Sequence, residues 1–310
     1  MSELKPFSKP ALRLGVDMGG TKIEIIALDG SGDELLRRRV ATPQGDYLGT
    51  VTAVAALVEE VENELGRRGS VGLGIPGAES ASGGLIKNAN STCLIGKPLR
   101  RDLQTLLQRE IRIANDANCF ALSEAIDGAG LGAEIVFGVI LGTGVGGGIV
   151  VRERVLTGVN HIAGEWGHNP LPVSEEEELP PAACYCGRQG CVESWLSGPG
   201  LSADHQRHNG EMLSPQTIED RAKQADAACA ATLARYDRRL ARALAQVVNI
   251  LDPDVIVLGG GLSNMMRLYT DVPLLWSQYI FSDQVHTQLR RHQHGDSSGV
   301  RGAAWLWNGD

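Results

Sequence analysis

The sequence predicts an α/β protein built twice on one plan, and three observations carry that prediction. Short apolar segments alternate with stretches of helical periodicity. Three of those segments run into glycine-rich turns, at 17–22, 142–148 and 259–261. The succession strand, Gly/Thr turn, strand, turn, strand at 12–40 recurs from 135 to 157. Strands alternating with helices through short glycine loops argue an α/β fold, and a repeated supersecondary plan argues two like-folded domains.

In order along the chain, Leu12 to Val16 is an apolar run ending in Asp17-Met-Gly-Gly-Thr-Lys22. Ile23 to Leu28 returns, Asp29-Gly-Ser-Gly-Asp33 is a turn, and Leu35 to Val40 is a third strand, which together read as a hairpin and meander. Val51, Val54, Leu57, Val58, Val61 and Leu65 share one face of a helix stopped by Gly66. Val71 to Ile75 is a buried strand leading into Pro76-Gly77. Residues 99–109 form a helix, and Ile111 to Ala114 a strand that ends in Asn115-Asp116-Ala-Asn118. In the second half, Ile135 to Leu141, Gly142 to Gly148 and Ile149 to Val151 repeat strand, turn and strand. Arg152-Glu-Arg154 turns into a third strand from Val155. Leu240, Leu244, Val247, Val248 and Leu251 share a helix face closed by Asp252-Pro253; Val255 to Leu258 feeds Gly259-Gly-Gly261, and a helix-like segment runs from Gly302 to Trp307. The run Glu175 to Glu178 reads as a solvated loop.

Composition excludes several classes of function. A formal charge of −8 over 310 residues supplies no basic field for nucleic acid. No apolar run reaches membrane-spanning length, and the first residues carry no signal-peptide core, so a cytoplasmic protein is expected. In that compartment, six cysteines are metal ligands or plain thiols rather than disulfides. Cys93, Cys119 and Cys229 are scattered and read as small hydrophobes.

Chemistry concentrates in two kinds of motif. Cys184, Cys186 and Cys191 follow a C-x-C-x4-C pattern downstream of His168. Three thiolates and one imidazole form the closed tetrahedral set of a structural Zn²⁺, and Gly187 and Gly190 let the chain double back. Glu165 and Glu193 flank these ligands, so a metal there would fix both carboxylates. The glycine turns are candidate phosphate cradles. Asp17 beside the first is a plausible Mg²⁺ partner through water, while Thr21, Thr143 and Lys22 add hydroxyls and a charge. None of the turns matches a Walker loop, and Gly144 to Gly148 satisfies only part of a dinucleotide fingerprint, entering a strand where a helix is needed. Asp116 at a strand end could act as a general base, although Asn-Asp-Ala-Asn also reads as a helix N-cap.

Asp17-Met-Gly-Gly-Thr-Lys22, Asn115-Asp116, Gly142-Thr-Gly-Val-Gly, Glu165-Trp-Gly-His168 and the cysteine motif through Glu193 together resemble the ROK sugar kinases over essentially the whole chain. Within that family, Lys87-Asn-Ala-Asn-Ser-Thr92, Gly164 to Pro172 and His294 to Trp307 are similar to fructokinases of the manno(fructo)kinase type, with the N-acetylglucosamine kinases as nearest neighbours. The resemblance implies an actin-like, ribonuclease-H-like ATPase fold with two similar domains around a cleft that takes ATP and sugar. The domains are expected at 1–115 and 116–297, with a C-terminal helix at about 298–310 packing back on the first. By the same resemblance Asp116 is the catalytic base and Asp17 lies near Mg²⁺. Gly19, Gly20, Thr21, Lys22, Gly142, Thr143 and Gly144 handle phosphates, and Gly259, Gly260 and Gly261 flank the adenosine. Asn90, Asn115, Glu165, His168 and Glu193 bind sugar hydroxyls; His168, Cys184, Cys186 and Cys191 hold zinc. His168 is expected to serve twice, with one nitrogen on zinc and the other free for a hydroxyl.

The implied reaction is ATP-dependent phosphorylation of a hexose 6-hydroxyl. Small polar groups at Asn88, Asn90 and Ser91 suit an unsubstituted sugar, so fructose is expected first; N-acetylglucosamine, mannose and glucose are the alternatives. The sugar-responsive repressors of the same family carry a DNA-binding segment ahead of the first glycine loop. With only sixteen residues ahead of Asp17 in this sequence, a repressor of that kind is not expected. The resemblance also suggests a homodimer.

Overall fold

The structure, a computed structural model, describes residues 12–81, 83–89, 91–172 and 175–308. The chain divides into two compact units: residues 1–132 with 148–163 and 296–310, and residues 133–147 with 164–295.

The first unit opens with β1 (Leu12–Met18), β2 (Lys22–Asp29) and β3 (Glu34–Ala41), an antiparallel meander. α1 (Tyr47–Leu65) follows, then β4 (Ser70–Ile75), the short hairpin β5 (Ala78–Glu79) and β6 (Ile86–Lys87), α2 (Leu99–Leu107), β7 (Ile111–Asn115) and α3 (Asp116–Ile126). The sheet order is β3-β2-β1-β4-β7, with β4 parallel to β1 and β7 parallel to β4. Its core is the predicted one. Val16, Ile23 and Ile25 of the strands and Val54, Val58 and Val61 of α1 are at most 1% exposed. Asp46 caps α1 by accepting from Gly49 N at 2.9 Å, and Gly66 ends the helix in the left-handed region.

The second unit contributes β8 (Ile135–Leu141) and the start of β9 (Val145–Val151), which leads into β10 (Arg154–Val155). It then forms α4 (Val192–Leu196), α5 (Gly198–Asn209), α6 (Pro215–Lys223), α7 (Ala227–Leu251), β11 (Val255–Gly259), α8 (Leu268–Trp276) and β12 (Gln288–Arg291). The order β10-β9-β8-β11-β12, with β11 parallel to β8 and to β12, repeats that of the first sheet. A meander followed by two parallel strands, formed twice, is the actin-like ATPase fold expected above. The third strand of the repeat is only two residues long. Arg152 and Glu153 both take positive φ, 50° and 61°, and form the tight turn before it.

The chain closes with α9 (Ser298–Trp305), which belongs to the first unit. Its tail is tied down: Trp305 Nε1 donates to Asp127 Oδ2 at 3.0 Å, Trp307 Nε1 donates to Val71 O at 2.8 Å, and Arg13 and Arg112 lie over the two indoles. The first break between the units falls after Gly132 rather than after Asn115. α3 packs against α9 in the first unit instead of opening the second.

One expectation is overturned. The run Glu175 to Glu178 is not merely a solvated loop, because Glu178 is 3% exposed. Its carboxylate accepts from Arg239 Nε at 2.9 Å and pairs with Arg242, while Asp204 accepts from Arg235 and Arg239. The arginines lie on one face of α7 at 235, 239 and 242, and the ion cluster straps the acidic run down.

Candidate functional site

In the first unit, the turn from β1 to β2 closes through Gly19 N donating to Lys22 O at 2.9 Å. Thr42 Oγ1 braces it by donating to Gly19 O at 2.8 Å. Gly20, Thr21 and Lys22 are exposed at its tip. Asp17, at the end of β1, has its carboxyl pushed up to about 6, first by burial, then by Asp116 and Glu24, with Lys22 opposing. A carboxylate held so against its solvation gains from a nearby cation. The position therefore fits the Mg²⁺ of a nucleotide, with Asp17 acting directly or through water.

Asp116 is the first residue of α3 and is exposed, its Oδ1 accepting from Ala117 N at 2.8 Å. The N-cap is Asn115, whose Oδ1 accepts from Asn118 N at 2.9 Å. The cap and the candidate base are thus two adjacent residues. Asn115 spends that oxygen on the helix, and Asp116 is oriented by it. Asn90 lies outside the described residues.

In the second unit, the turn from β8 to β9 folds through Gly142 N donating to Gly144 O at 3.0 Å. Thr143 is exposed, and with Gly142 and Gly261 it lines a cavity of about 680 Å³. The remaining wall includes Met212, Leu213, Pro215, Leu262 and Met265. Two expected phosphate residues and one expected adenosine residue are thereby brought to one apolar slot of ligand-binding size. Gly259 is buried as the last residue of β11. Gly260, at φ 80°, packs where a Cβ would come 2.5 Å from Leu141 O. Neither lines the cavity. The apolar wall left no trace in the sequence because its residues come from a loop running into the first residue of α6 and from a single 3-10 turn after β11, both too short for periodicity.

His168, Cys184, Cys186 and Cys191 present ligand atoms within 4.8 Å of one another. Zn–S bonds of about 2.3 Å and Zn–N bonds of about 2.0 Å would set sulfurs about 3.8 Å apart and sulfur and nitrogen about 3.6 Å apart. Cys186 Sγ and Cys191 Sγ are 3.7 Å apart, and Cys184 Sγ is 3.6 Å from His168 Nδ1. A disulfide needs about 2.05 Å, so the cluster fits an ion and not a bridge. Gly187 and Gly190 take φ of 85° and 69°, as the doubling back requires. Burial and the neighbouring thiols push Cys191 up to about 12, a penalty that a bound cation would offset.

With Nδ1 facing the cluster, His168 Nε2 lies 3.1 Å from the Tyr185 hydroxyl. The second nitrogen is therefore not free as expected, because the exposed Tyr185 stands edge-on to the imidazole. Glu165 is exposed beside Trp166, whose Nε1 donates to Gly146 O at 3.1 Å and fixes the turn on β9. Glu193, in the first turn of α4, accepts from Val145 N at 2.9 Å.

A family model described as the ROK family matches residues 13–310. An N-acetyl-D-glucosamine kinase of Vibrio cholerae is 41% identical over 296 residues, which span 94% of this chain and 98% of that protein. Another from Yersinia pseudotuberculosis is 40% identical, with 94% and 97% covered. Among solved structures, a ROK hexokinase from Thermus thermophilus matches at 32% identity with a TM-score of 0.85, covering 95% of this chain and 97% of that one. A ROK family glucokinase from Streptomyces griseus, in complex with glucose and AMPPNP, matches at 27% identity with a TM-score of 0.74, covering 95% and 98%. Among the described residues, no helix is long and apolar enough to cross a membrane.

Proposed function

Because this chain belongs to the ROK family, we propose that it is an ATP-dependent sugar kinase, transferring the γ-phosphoryl group of ATP to the 6-hydroxyl of a hexose. The observation that carries the reading is the near-full-length identity to sugar kinases, supported by an exposed, backbone-oriented Asp116 at the head of α3. Phosphoryl transfer through a loose transition state needs positioning and charge compensation more than covalent chemistry. Asp116 accepts the proton of the attacking hydroxyl. Asp17 holds Mg²⁺, which when bound offsets phosphate charge. The loops at 19–22 and 142–144 supply amides and hydroxyls to the phosphates. The apolar slot beside Gly261 takes the adenine. Asn90, Asn115, Glu165 and Glu193 pair with sugar hydroxyls, joined by His168 Nε2 when a hydroxyl displaces the exposed Tyr185, and the four-ligand cluster holds a structural Zn²⁺ that fixes Glu165, His168 and Glu193.

N-acetyl-D-glucosamine is the hexose that the relatives favour, since the curated matches near 40% identity act on it by name. Fructose is the second reading, favoured by the stretches 87–92 and 164–172, which resemble the manno(fructo)kinase group. A coupled ADP-release assay across N-acetylglucosamine, fructose, mannose and glucose separates them. The highest kcat/KM is expected on N-acetylglucosamine; a preference for fructose passes the assignment to the second reading, and no turnover with any hexose overturns the kinase reading. A cytoplasmic homodimer completes the proposal, the dimer to be checked by sedimentation.

A further inference from the structure

The second glycine loop is gripped at both ends by one short segment. Val145, which closes the loop, donates its N–H to Glu193 Oε2 at 2.9 Å. At the other end Gly142 O accepts from Gly198 N at 2.8 Å. Glu193 lies on α4 and Gly198 begins α5, so the stretch 193–198 brackets the residues that line the nucleotide slot. The grip is close. A Cβ on Gly144 would come 2.7 Å from Glu193 Oε2, a separation that real Cβ atoms do not show. Val145 is 6% exposed, so removing its acceptor strands a buried N–H where water has little access. Cys191, the residue before α4 and one of the four candidate ligands, sets where this segment starts.

We propose that Glu193 is a positioning residue for the phosphate loop as well as a partner for the sugar. Its carboxylate fixes the Val145 amide, and through it the run Gly142–Val145 on which the nucleotide phosphates rest. This deepens the kinase reading and rests on it. A carboxylate beside a phosphate loop is an unfavourable neighbour by charge alone; its place there is explained by what it holds. The same contact makes the cysteine knuckle matter to the nucleotide as well as to the sugar, because the knuckle delivers α4 to the loop.

The test is ADP binding to sugar-free protein by calorimetry, where a residue serving only the sugar has no effect. Glu193→Ala is expected to weaken ADP about tenfold or more, the usual consequence of deleting a partly buried charge-assisted hydrogen bond. Glu193→Gln keeps an oxygen to accept from Val145 and is expected to stay within about threefold of wild type for ADP. Zinc content and far-UV dichroism establish that each variant is folded. Independently of those variants, Gly144→Ala is expected to weaken ADP, and to weaken it less when combined with Glu193→Ala, which removes the 2.7 Å contact. Wild-type ADP affinity in folded Glu193→Ala overturns the positioning role and leaves the kinase reading standing. Equal impairment of the Ala and Gln variants, or strict additivity with Gly144→Ala, also overturns it. Wild-type protein that fails to bind ADP would instead remove the nucleotide reading of the loop, and this inference with it.

Discussion

Asp17→Asn is expected to stabilise the ligand-free protein, by an amount that grows with pH. The carboxyl titrates at about 6 in the fold against 3.8 for its reference value, burial being the largest cause and Asp116 the next. The folded pKa is raised, so the folded state prefers the proton. The charge costs nothing well below pH 3.8, and its cost is complete once the pH has passed through 6. With one unit worth about 1.36 kcal/mol, the 2.2-unit difference sets a ceiling of about 3 kcal/mol at pH 8. At pH 5, where the folded carboxyl is mostly protonated and the unfolded one mostly ionised, the same linkage gives about 1.6 kcal/mol. An Asn side chain is neutral throughout and escapes the whole cost. Urea unfolding of both proteins at pH 5 and pH 8 should therefore give a stability gap that widens by about 1.4 kcal/mol on going to the higher pH. Mg²⁺ with ADP should narrow the gap at pH 8, because a cation beside Asp17 offsets the same charge. A variant no more stable than wild type at pH 8, or a gap that shrinks as pH rises, refutes the argument. Stability given up at a charged site is the usual cost of keeping a binding group where a ligand needs it.

Asp116→Asn keeps the shape of the side chain and removes the base, so kcat should fall by at least about 10²-fold with zinc content and folding unchanged; near wild-type turnover removes Asp116 from the role. Cys186→Ala opens the four-ligand set, and should release zinc on a metal assay and raise the sugar KM before kcat changes. Retention of sugar affinity after zinc loss counts against the positional role of the cluster. Glu178→Ala leaves Arg239 and Arg242 buried without their shared carboxylate, and should cost about 3–5 kcal/mol in urea unfolding, as breaking a buried ion cluster does. A loss under about 1 kcal/mol would mean that the acidic run behaves as the exposed loop its composition suggests.

What the sequence made legible is what local chemistry decides. The turns at 17–22 and 142–148 stand out because apolar strands flank them. The duplicated sheet follows from their recurrence, and the cysteine cluster from spacing and two glycines that need positive φ. The N-cap and the functional reading of Asn115-Asp116 looked like alternatives, yet they fall on different residues: Asn115 caps the helix, and Asp116 beside it is exposed. What stayed hidden are contacts between segments far apart in sequence. Glu178 looked solvated because the arginines that bury it lie some sixty positions away. Those arginines sit together at 235, 239 and 242 on the face of α7 opposite Leu240, Leu244 and Val248, and that face is buried too. Buried arginines need carboxylates to meet them. Tyr185 carries no signal of its own between two cysteines, yet it stands against the His168 imidazole. Glu193 is the sharpest case. Its place two residues after Cys191 argued that the knuckle aims a carboxylate at a sugar, and nothing in its neighbourhood named Val145, nearly fifty residues upstream. A pinned carboxylate has two oxygens and can serve two masters. One faces a loop whose backbone must be held still for phosphate, so close that a Cβ on Gly144 would meet it at 2.7 Å.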